Sequence, residues 1–471
     1  MEAVMRFTIQ LTINNEKCSE KIEEIIQLEK TFENSNVVGM TLLESKKILK
    51  TLQDKIVSAQ ANEHVKSKIE CLSCHKKLNL KDYHYIQYRT LFGIVNLSSP
   101  RLHNCQCHKE KTKTFSPLNQ WLKEKNSPEL LYIETKWASL MSYGSTAKLL
   151  QDVLPVGPTQ NAQTVRNHLH NIAKRQEREL EGKPRCLSGC GYEWAKLPKP
   201  DKPLTVGIDG GYVKSCQAKK TNFEIIIGKS FSKTKGAKRF GFVQTLDECP
   251  ERRLLHVLKE QGMQENQQIT FMSDGADNVR NLQYLMHPES EHILDWFHIT
   301  MRLTVLNQFS KGLIKYSLEK GERVKEYLES TKWYLWHGNV EKALDSLEDC
   351  YCICMDEEIK YSNKKKFIKQ LEELNTYIEN NQHLIPNYGE RWRYGEVITT
   401  SFVESTVNEV ISKRMVKKQQ MQWSHEGAHY IIQTRTATLN NELHEHFSKW
   451  YPGFKVKNNV QKLGVHMEKV A

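Results

Sequence analysis

Two aspartates stand where predicted strands end in the second half of the chain. Asp209 closes a strand within LTVGIDGGYV, and Asp274 closes another within TFMSDGADN. An Asp-Gly pair is a common turn signal, so both positions have a simple interpretation as unrelated turns. Carboxylate oxygens are also the ligands that Mg²⁺ and Mn²⁺ prefer. If the two strands are neighbours, the pair predicts a divalent-metal site, and Gly210 and Gly211 would keep the backbone thin where metal and a substrate phosphate approach.

A third carboxylate is expected from a later helix. Glu404 lies in TTSFVESTVNEVISKRM and borders an apolar stripe of Val403, Val407 and Val410, which predicts a helix packed on the sheet edge. Two divalent ions about 3.5–4 Å apart, held by such a set, activate the attacking oxygen and stabilise the leaving oxygen in phosphodiester chemistry. The acids therefore predict a catalytic site that acts on a nucleic-acid backbone.

Other acidic residues offer alternatives to this assignment. Glu396 and Glu409 are candidates for the third position, and Asp277 competes with Asp274. Asp277 and Asn278 also suit the cap of a helix that starts there. Asp274 is preferred because it stands directly at the end of the predicted strand.

The elements that would position these acids follow from hydrophobic periodicity. Three consecutive strands are predicted first, and helix and strand then alternate. The predicted strands are Leu204–Asp209, Asn222–Phe231, Lys238–Thr245, Gln268–Ser273 and His292–Trp296, and the helices are Arg252–Gln261 and Ala276–Leu285. This order is that of an RNase-H-like fold, in which the first and fourth strands lie side by side. From residue 299 to 381 the spacing predicts helices alone.

Cysteines flank a predicted hairpin in the first half of the chain. They are Cys71, Cys74, Cys105 and Cys107. The hairpin between them turns near Phe92-Gly93. Thiolates brought together in this way suit a tetrahedral Zn²⁺, which predicts a zinc-ribbon-like region over residues 66–115. The alternatives are reduced structural cysteines, or a histidine ligand from His75 or His108.

Two predicted helices around a Pro- and Gly-rich turn precede the strands. Ser145–Val153 and Ala162–Lys174 are separated by LPVGPTQN, which predicts a helix-turn-helix. The second helix offers polar side chains that can read base edges in the major groove of DNA, and these are Gln163, Thr164, Arg166 and Asn167. A helical hairpin with a polar face is the alternative.

Positive charge points to a polyanionic partner. The chain has 68 Lys and Arg against 56 Asp and Glu, a net charge of +12. The segment SKRMVKKQQMQW follows Glu404 closely, and its basic residues are expected to contact DNA phosphates: Lys413, Arg414, Lys417 and Lys418. A solvated helix face is the alternative.

Several motifs resemble those of one enzyme family. GIDGGYV, GFVQT, SDG, LDWFHITMRLTVL, WYLWHGN, NYGERWRYGE and TTSFVES…SKRMVKKQQMQW occur in this order between Cys71 and Phe454. They resemble ISKra-type insertion-sequence transposases, a DDE group similar to Mutator-like transposases. The resemblance implies an RNase-H-like core, an all-helical insertion before the last acid, and a catalytic triad of Asp209, Asp274 and Glu404 with two Mg²⁺ or Mn²⁺ ions.

The resemblance also implies partners and a supporting motif. The enzyme would bind the terminal inverted repeats of an insertion sequence, cleave double-stranded DNA and join the end to target DNA, as a homodimer or larger assembly. Asp295 and His298 match the Asp-x-x-His motif of Mutator-like relatives, which implies a supporting contact to the catalytic groups or to DNA. The alternative for His298 is a buried histidine bonded to a backbone carbonyl.

Together these features predict a multidomain α+β protein. The expected regions are a helical 1–65 with helices Glu20–Phe32 and Leu42–Val57, a zinc-ribbon-like 66–115, a helix-turn-helix region 116–182, a linker 183–203, a catalytic core 204–298 with 382–425, a helical insertion 299–381 and a C-terminal helical segment 426–471. No apolar run approaches the roughly 20 residues of a membrane helix, and no signal-peptide core is found at the start, so a cytoplasmic protein is expected. The resemblance implies the bacterial cytoplasm and association with the nucleoid. The alternatives are a two-metal nuclease without strand transfer and a catalytically dead, domesticated DNA-binding protein.

Overall fold

The chain is divided into two compact units in the part of it that the structure describes. The computed structural model describes residues 4–15, 18–31, 38–105, 107, 113–200, 203–217, 221–232, 236–275, 282–283, 286, 290–416 and 421–455. The first unit is Met1–Ile172 with Asn441–Ala471, and the second is Ala173–Asn440. Each unit contains helices and strands, so the multidomain α+β class is confirmed. Among the described helices, none has the length and apolar character needed to cross a bilayer.

The first unit begins with a β-hairpin where a helix is predicted. Strand β1 (Val4–Asn15) pairs antiparallel with β2 (Cys18–Thr31), so the predicted helix Glu20–Phe32 and the all-helical interpretation of residues 1–65 are wrong. The second predicted helix is confirmed as α1 (Leu42–Lys66). Its N-terminus has a capping box, in which Thr41 and Glu44 satisfy each other's backbone N–H groups.

A β-bulge explains the error in β2. Ile9 pairs with Ile26, but the next residue of β1 pairs with Glu24, so Ile25 is an extra residue in β2. The extra residue places Ile22, Ile25 and Ile26 three and four apart, which is the spacing of a helix face. The buried isoleucines pack against α1, and this tertiary contact favours the hairpin.

The rest of the first unit agrees with the predicted elements. The hairpin is confirmed as β3 (Leu80–Thr90) and β4 (Gly93–His103), and a short β5 (Thr114–Phe115) pairs with β4. Gly93 takes a positive φ of 119° at the turn, a conformation that favours glycine. The helices of this part are α2 (Pro117–Trp121), α3 (Pro128–Leu140), α4 (Tyr143–Val153) and the start of α5 (Ala162–Glu181), which belongs to the second unit from Ala173 onward.

The second unit is built on a mixed sheet. Its strands are β6 (Leu204–Lys214), β7 (Asn222–Ser232), β8 (Gly236–Val243), β9 (Ile269–Ser273) and β10 (Glu291–Leu294). The strand order is β10-β9-β6-β7-β8, in which β9 is parallel to β6 and β10, and the other pairs are antiparallel. All the predicted strands of this region are confirmed, and so is the adjacency of the first and fourth.

Helices cover both faces of this sheet. A short α6 (Gly191–Trp194) lies in the predicted linker, and α7 (Pro250–Glu260) connects β8 to β9 and packs on the sheet through its leucines. The predicted helix Ala276–Leu285 lies outside the described residues, apart from Leu282 and Gln283. That part of the prediction stays a prediction.

A helical segment follows β10, as predicted for residues 299–381. Its helices are α8 (Trp296–Tyr316), α9 (Leu318–Trp336), α10 (Val340–Met355) and α11 (Lys364–Asn381). Leucine, isoleucine and aromatic side chains from all of them form one hydrophobic core. A 3₁₀ turn (Gln382–Leu384) and α12 (Tyr388–Arg393) then lead the chain back toward the sheet.

The chain returns to the sheet with a helix that carries Glu404. This is α13 (Ser401–Val407), which continues as a π-helix (Asn408–Val416) and packs on β6 and β7. It is followed by α14 (His425–Leu439), which packs on β8, and by α15 (Leu443–Trp450) in the first unit. Helix α14 is thus part of the second unit, although the sequence places it in a separate C-terminal segment.

Candidate functional site

Asp209 and Asp274 lie at the same level of adjacent parallel strands. Gly207 pairs with Met272, and each aspartate stands two residues beyond that pair. The sequence predicts that β6 ends at Asp209. The strand instead continues to Lys214, because β7 pairs with it up to that residue. Asp209 therefore lies within β6, at the point where its partner on the other side, β9, has ended.

Two glycines of β6, Gly207 and Gly211, let α13 and the π-helix approach the sheet closely. A Cβ on Gly207 would overlap Cγ2 of Val403, and a Cβ on Gly211 would lie 2.6 Å from an isoleucine of the π-helix. Alternate residues of a strand share a face, so Asp209 lies between these glycines on the face that α13 covers. Glu404 follows Val403 directly on α13. Burial raises the pKa of its carboxylate, which is close enough to Asp209 for the charge of that residue to raise the pKa further.

The two glycines after Asp209 have a different role from the one predicted. The space beside Gly211 is occupied by Ile411, and a Cβ on Gly210 would lie 2.6 Å from Oε1 of Glu224. Neither position is open to a phosphate in this structure. The glycines serve the packing of protein groups around Asp209, and the prediction of a thin backbone for a substrate is corrected accordingly.

The acids and a histidine influence one another electrostatically. Burial raises the pKa of Asp209, and the negative charges of Asp274 and Asp295 raise it further; the following backbone N–H, 2.7 Å from its Oδ1, and His298 act in the opposite direction. Burial likewise raises the pKa of Glu404, with His298 lowering it and Asp209 raising it. The site is thus an anionic cluster that a cation would neutralise.

The carboxylates do not form a closed coordination shell. Among the described residues, the cysteine cluster is the one group of three or more His, Cys, Asp or Glu whose ligand atoms all lie within 4.8 Å. The oxygens of Asp209, Asp274 and Glu404 are therefore spread more widely than this. Their donor chemistry suits a hard divalent cation, and binding one would require them to draw together.

Glu224 is an acid at this edge that the sequence prediction missed. Burial raises its pKa, as do the charges of Asp274 and Asp209, whereas a hydrogen bond with Tyr212 lowers it. It lies opposite Tyr212 in the β6–β7 pairing. Its signal in the sequence is a single acid near the start of the apolar strand NFEIIIGKS. A search for acids at the ends of strands does not find it.

Asp295 and His298 are brought together, as the motif implies. Asp295 is fully buried at the N-cap of α8, where its Oδ1 accepts from the backbone N–H of Phe297 at 2.9 Å. His298 Nε2 lies 3.6 Å from Asp295 Oδ2, so this ring nitrogen faces a carboxylate and not a backbone carbonyl. From this position His298 acts on the pKa of both Asp209 and Glu404.

The helical segment contacts the end of β9. Tyr377 of α11 donates its hydroxyl to the carbonyl of Asp274 at 3.0 Å, and the guanidinium of Arg302 lies 4.3 Å from the centre of the Tyr377 ring. A Cβ on Gly275 would overlap Asn381. These contacts hold the strand end that carries Asp274, and no periodicity in the sequence indicates them.

The alternative acids are engaged elsewhere. Glu396 accepts a hydrogen bond from Arg391 at 2.9 Å, and Glu409 forms an ion pair with Arg239 at 2.9 Å. Both are therefore neutralised by arginines, which favours Glu404 as the third acid. Asp277 and Asn278 lie outside the described residues.

The cysteines that flank the hairpin lie together in the first unit. The Sγ atoms of Cys71 and Cys107 are 3.3 Å apart, as are those of Cys74 and Cys105, and Cys107 Sγ lies 3.8 Å from Cys74 Sγ. All the sulfurs lie within 4.8 Å of one another. Zn–S bonds of about 2.3 Å in a tetrahedron place sulfurs about 3.8 Å apart, so the cluster is compatible with structural Zn²⁺.

Backbone groups around the cluster favour thiolates. The N–H groups of Cys74 and Ser73 lower the pKa of Cys71 to about 5, and that of Cys107 lowers the pKa of Cys105. In contrast, the sulfurs of Cys105 and Cys71 raise the pKa of Cys107 to about 12. Neighbouring thiolates repel, so a bound cation is what would keep the whole set deprotonated.

The histidines considered as substitute ligands have other positions. The backbone N–H of His75 donates to the carbonyl of Cys71 at 2.9 Å and closes the turn of the first cysteine pair. Its φ of 54° is left-handed, which is uncommon outside glycine. Within the described residues His75 is not part of the clustered group, and His108 lies outside them.

Helices α4 and α5 are found where the sequence predicts the two helices of a helix-turn-helix, and the connection between them is long. The connection covers residues 154–161, whereas DNA-binding examples use about 3–4 residues. Gln163 and Asn167 are exposed near the start of α5, where Gln163 Nε2 donates to Asn167 Oδ1 at 2.8 Å. Arg166 is partly exposed. These side chains are placed at the surface, as reading a base edge requires.

Thr164 is partly exposed, and its hydrogen bonds serve the start of the helix. Its hydroxyl donates to the carbonyl of Thr159 at 3.2 Å, and its N–H donates to Oδ1 of Asn161 at 2.9 Å. Below it, Glu134 of α3 is fully buried and lies 2.5 Å from Nδ1 of His168. The Glu134–His168 contact links α3 to α5. The hydroxyl of Thr164 is engaged with the backbone, and its contact with bases stays a prediction.

The basic segment after Glu404 is only partly exposed. Lys413 is exposed on the π-helix, whereas Arg414 is 1% exposed and its guanidinium lies 5.3 Å from the centre of the Trp423 ring. The expected contact of Arg414 with a phosphate is thus corrected, because an arginine stacked inside the fold cannot reach DNA. Lys417 and Lys418 lie outside the described residues.

Comparison with known proteins gives no family assignment. Neither the family models nor the curated proteins searched contain a match to this chain. The function has to be argued from the geometry of the residues themselves.

Proposed function

We propose that this chain is a DDE-type DNA transposase, which cleaves DNA at the ends of an insertion sequence and joins those ends to target DNA. The observation that carries the proposal is the convergence of Asp209, Asp274 and Glu404 from distant segments to one edge of the sheet. Beyond the effect of burial, the charge of Asp274 raises the pKa of Asp209 and the charge of Asp209 raises that of Glu404, which is the behaviour of an anionic cluster that a cation would neutralise. The resemblance of the motifs to ISKra-type transposases supports the same activity.

The proposed catalytic core is an RNase-H-like domain. The strand order, with antiparallel β6, β7 and β8 and parallel β9 and β10, supports it. The helices between β10 and α13 would then be the insertion that precedes the last acid, and α13 would deliver Glu404 to the sheet. This arrangement accounts for the close approach of α13 to the glycines of β6.

The carboxylates would hold two Mg²⁺ or Mn²⁺ ions. Such ions supply Lewis-acid activation of the attacking and leaving oxygens at a phosphodiester. The residues supply the site: Asp209 and Glu404 from facing elements, and Asp274 from the adjacent strand end. His298 would oppose the effect of burial on Asp209 and Glu404, since it lowers the pKa values that burial raises.

The DNA partner would be double-stranded ends carrying terminal inverted repeats. The exposed start of α5 offers Gln163, Arg166 and Asn167 for the major groove, and Lys413 offers a phosphate contact. A zinc-ribbon-like region held by the cysteine cluster would stiffen the hairpin of the first unit. The net charge of +12 supports binding to a polyanion, and pairing of two ends implies a homodimer or a larger assembly.

The test is a cleavage and joining assay with purified protein and labelled DNA that carries the inverted repeats flanking the coding sequence. We expect Mg²⁺- or Mn²⁺-dependent 3′ ends and joined products. Asp209→Asn should lower the rate more than roughly 100-fold, since it removes a ligand and not just an outer-shell partner. Glu357→Gln, an exposed acid far along the chain from the cluster, is the matched control and should keep full activity.

Each other outcome has a defined meaning. Cleavage without joined products would favour a two-metal nuclease. DNA binding without cleavage by the wild type would favour a catalytically dead DNA-binding protein. Full activity of Asp209→Asn would contradict the assigned carboxylates.

A further inference from the structure

Asp295 is a fully buried carboxylate whose oxygens accept hydrogen bonds from the helix that it caps and from Thr400. Its Oδ1 accepts from the backbone N–H of Thr400 and from that of Phe297, each at 2.9 Å, and its Oδ2 accepts from the Thr400 hydroxyl. A buried charge is tolerated only when it is hydrogen-bonded in this way. With both oxygens engaged, Asp295 is not placed to bind a metal or DNA.

Thr400 uses its hydroxyl in an unusual way for its position. It is the N-cap of α13 and is 1% exposed, but it makes no side-chain cap to its own helix. A threonine at this position normally accepts from the backbone of the first turn. Here both its N–H and its hydroxyl are directed at Asp295, so the start of α13 is attached to α8 through one carboxylate.

Asp295 is also attached to the segments that carry two of the proposed catalytic acids, Asp274 and Glu404. The backbone N–H of Asp295 donates to the carbonyl of Ser273, the residue before Asp274, at 2.9 Å. On the other side, the N–H of Glu404 donates to the carbonyl of Thr400 at 3.0 Å. Asp295 thus joins the end of β9 to the start of α13 through hydrogen bonds of its backbone N–H and of its carboxylate.

We propose that Asp295 is a positioning residue that fixes the distance between Asp274 and Glu404 by holding Thr400. The hydrogen bonds set the depth and direction at which α13 enters the site, and with them the place of the Glu404 carboxylate. The carboxylates are spread in this structure, so their ability to meet around a cation depends on this attachment. The catalytic consequence rests on the proposed function, whereas the positioning itself does not.

A matched set of variants at Thr400 separates positioning from general stability. Thr400→Val keeps the shape of the side chain and removes the hydroxyl that donates a hydrogen bond to Asp295 Oδ2. Thr400→Ser keeps the hydroxyl. Thr406→Val removes another buried hydroxyl from α13, one that bonds to the Phe402 carbonyl and has no contact with Asp295, and it serves as the control.

Two readouts are measured on the full-length protein. The first is the exchange of backbone amide hydrogens in peptides that cover residues 401–407. We expect faster exchange in Thr400→Val, and exchange close to the wild type in Thr400→Ser and Thr406→Val. The second is single-turnover cleavage at saturating DNA, which should fall about 10–100-fold in Thr400→Val alone, with DNA affinity unchanged.

The outcomes distinguish the positioning from the function. Unchanged amide exchange and unchanged cleavage in Thr400→Val would overturn the inference. Equal losses in Thr400→Val and Thr406→Val would also overturn it, because a general loss of helix stability would then explain both. If even the wild type cleaves no DNA, the proposed function fails. Faster amide hydrogen exchange in Thr400→Val alone would still support the attachment of α13 to Asp295.

Discussion

Buried charges in the second unit are matched by partners that lie far apart in the sequence. Arg253 is 7% exposed and donates to Glu177 at 2.8 Å, to Asp247 at 2.9 Å and to Gln433 at 2.7 Å. His429 approaches the same Glu177 carboxylate at 3.4 Å. Such a network is costly to break from one side, because the remaining charge stays buried without a partner.

The first prediction concerns the pH dependence of this network. Burial acts to raise the pKa of Glu177, but the hydrogen bond from His429 and the charge of Arg253 outweigh it and lower the pKa to about 2. A carboxyl whose folded pKa is depressed stabilises the fold above its unfolded value of about 4.3, and this stability is lost as pH falls toward 2. Glu177→Gln should cost about 1–3 kcal/mol at pH 7, and the difference from the wild type should narrow below pH 4.5.

Urea unfolding between pH 7 and pH 3 measures this difference. Glu181→Gln, at the exposed end of the same helix, is the control and should change stability little at any pH. A deficit of Glu177→Gln that stays constant across this range would contradict the assigned pKa.

At the scale of elements, the approach of α13 to β6 depends on the absence of a side chain at Gly207. A Cβ there would overlap Val403 of the helix and also lie 2.9 Å from Phe402. Neither neighbour is the free end of a flexible surface chain, since Val403 is fully buried. The helix would have to move away from the sheet and take Glu404 with it.

The second prediction follows from this contact. Gly207→Ala should destabilise the protein by about 1–3 kcal/mol, as overpacking does, and should lower cleavage more than DNA binding. Gly144→Ala is the control, because it lies in α4 with no atom within 4 Å of the new Cβ and alanine is the better helix former. Urea unfolding gives the stabilities. A Gly207→Ala protein as stable as the wild type would show that α13 does not pack as described.

The strands and helices show what hydrophobic periodicity can and cannot predict. The strands β6 to β10 are short apolar runs, and these were predictable together with the adjacency of β6 and β9. The hairpin β1–β2 was not, because the extra residue Ile25 gives β2 the spacing of a helix. Residues that come to the site by tertiary packing, such as Tyr377 and Thr400, leave no local signal, since their partners are distant in the chain.

Burial also limits predictions from residue type. Arg414 and Lys413 are neighbours in a basic run, but the first is buried on Trp423 and the second is exposed. The two side chains leave the π-helix in different directions, so that one is buried and the other is exposed. The positive charge of a segment therefore predicts the class of its partner, whereas only the packed structure shows which side chains can reach that partner.

At the scale of the whole molecule, the first unit should depend on a metal. The clustered sulfurs predict about one Zn²⁺ per chain. Cys71→Ser should lower the zinc content toward zero and lower the melting temperature, because the energy of binding a structural metal contributes to folding. A strong chelator should have the same effect on the wild type.

Metal analysis after dialysis, together with thermal unfolding, tests this third prediction. Cys352→Ser is the control, since Cys352 is exposed on α10 and lies outside the cluster. Zinc content in Cys71→Ser equal to that of the wild type would contradict the assignment.

The central claim is that Asp209, Asp274 and Glu404 together hold the divalent ions that act on DNA. The most direct measurement is anomalous diffraction from crystals of the protein soaked with Mn²⁺. We predict a manganese peak about 2.0–2.3 Å from oxygens of Asp209 and Glu404, which is absent from crystals of Asp209→Asn. Manganese bound elsewhere in the wild type, with none at this edge of the sheet, would contradict the claim.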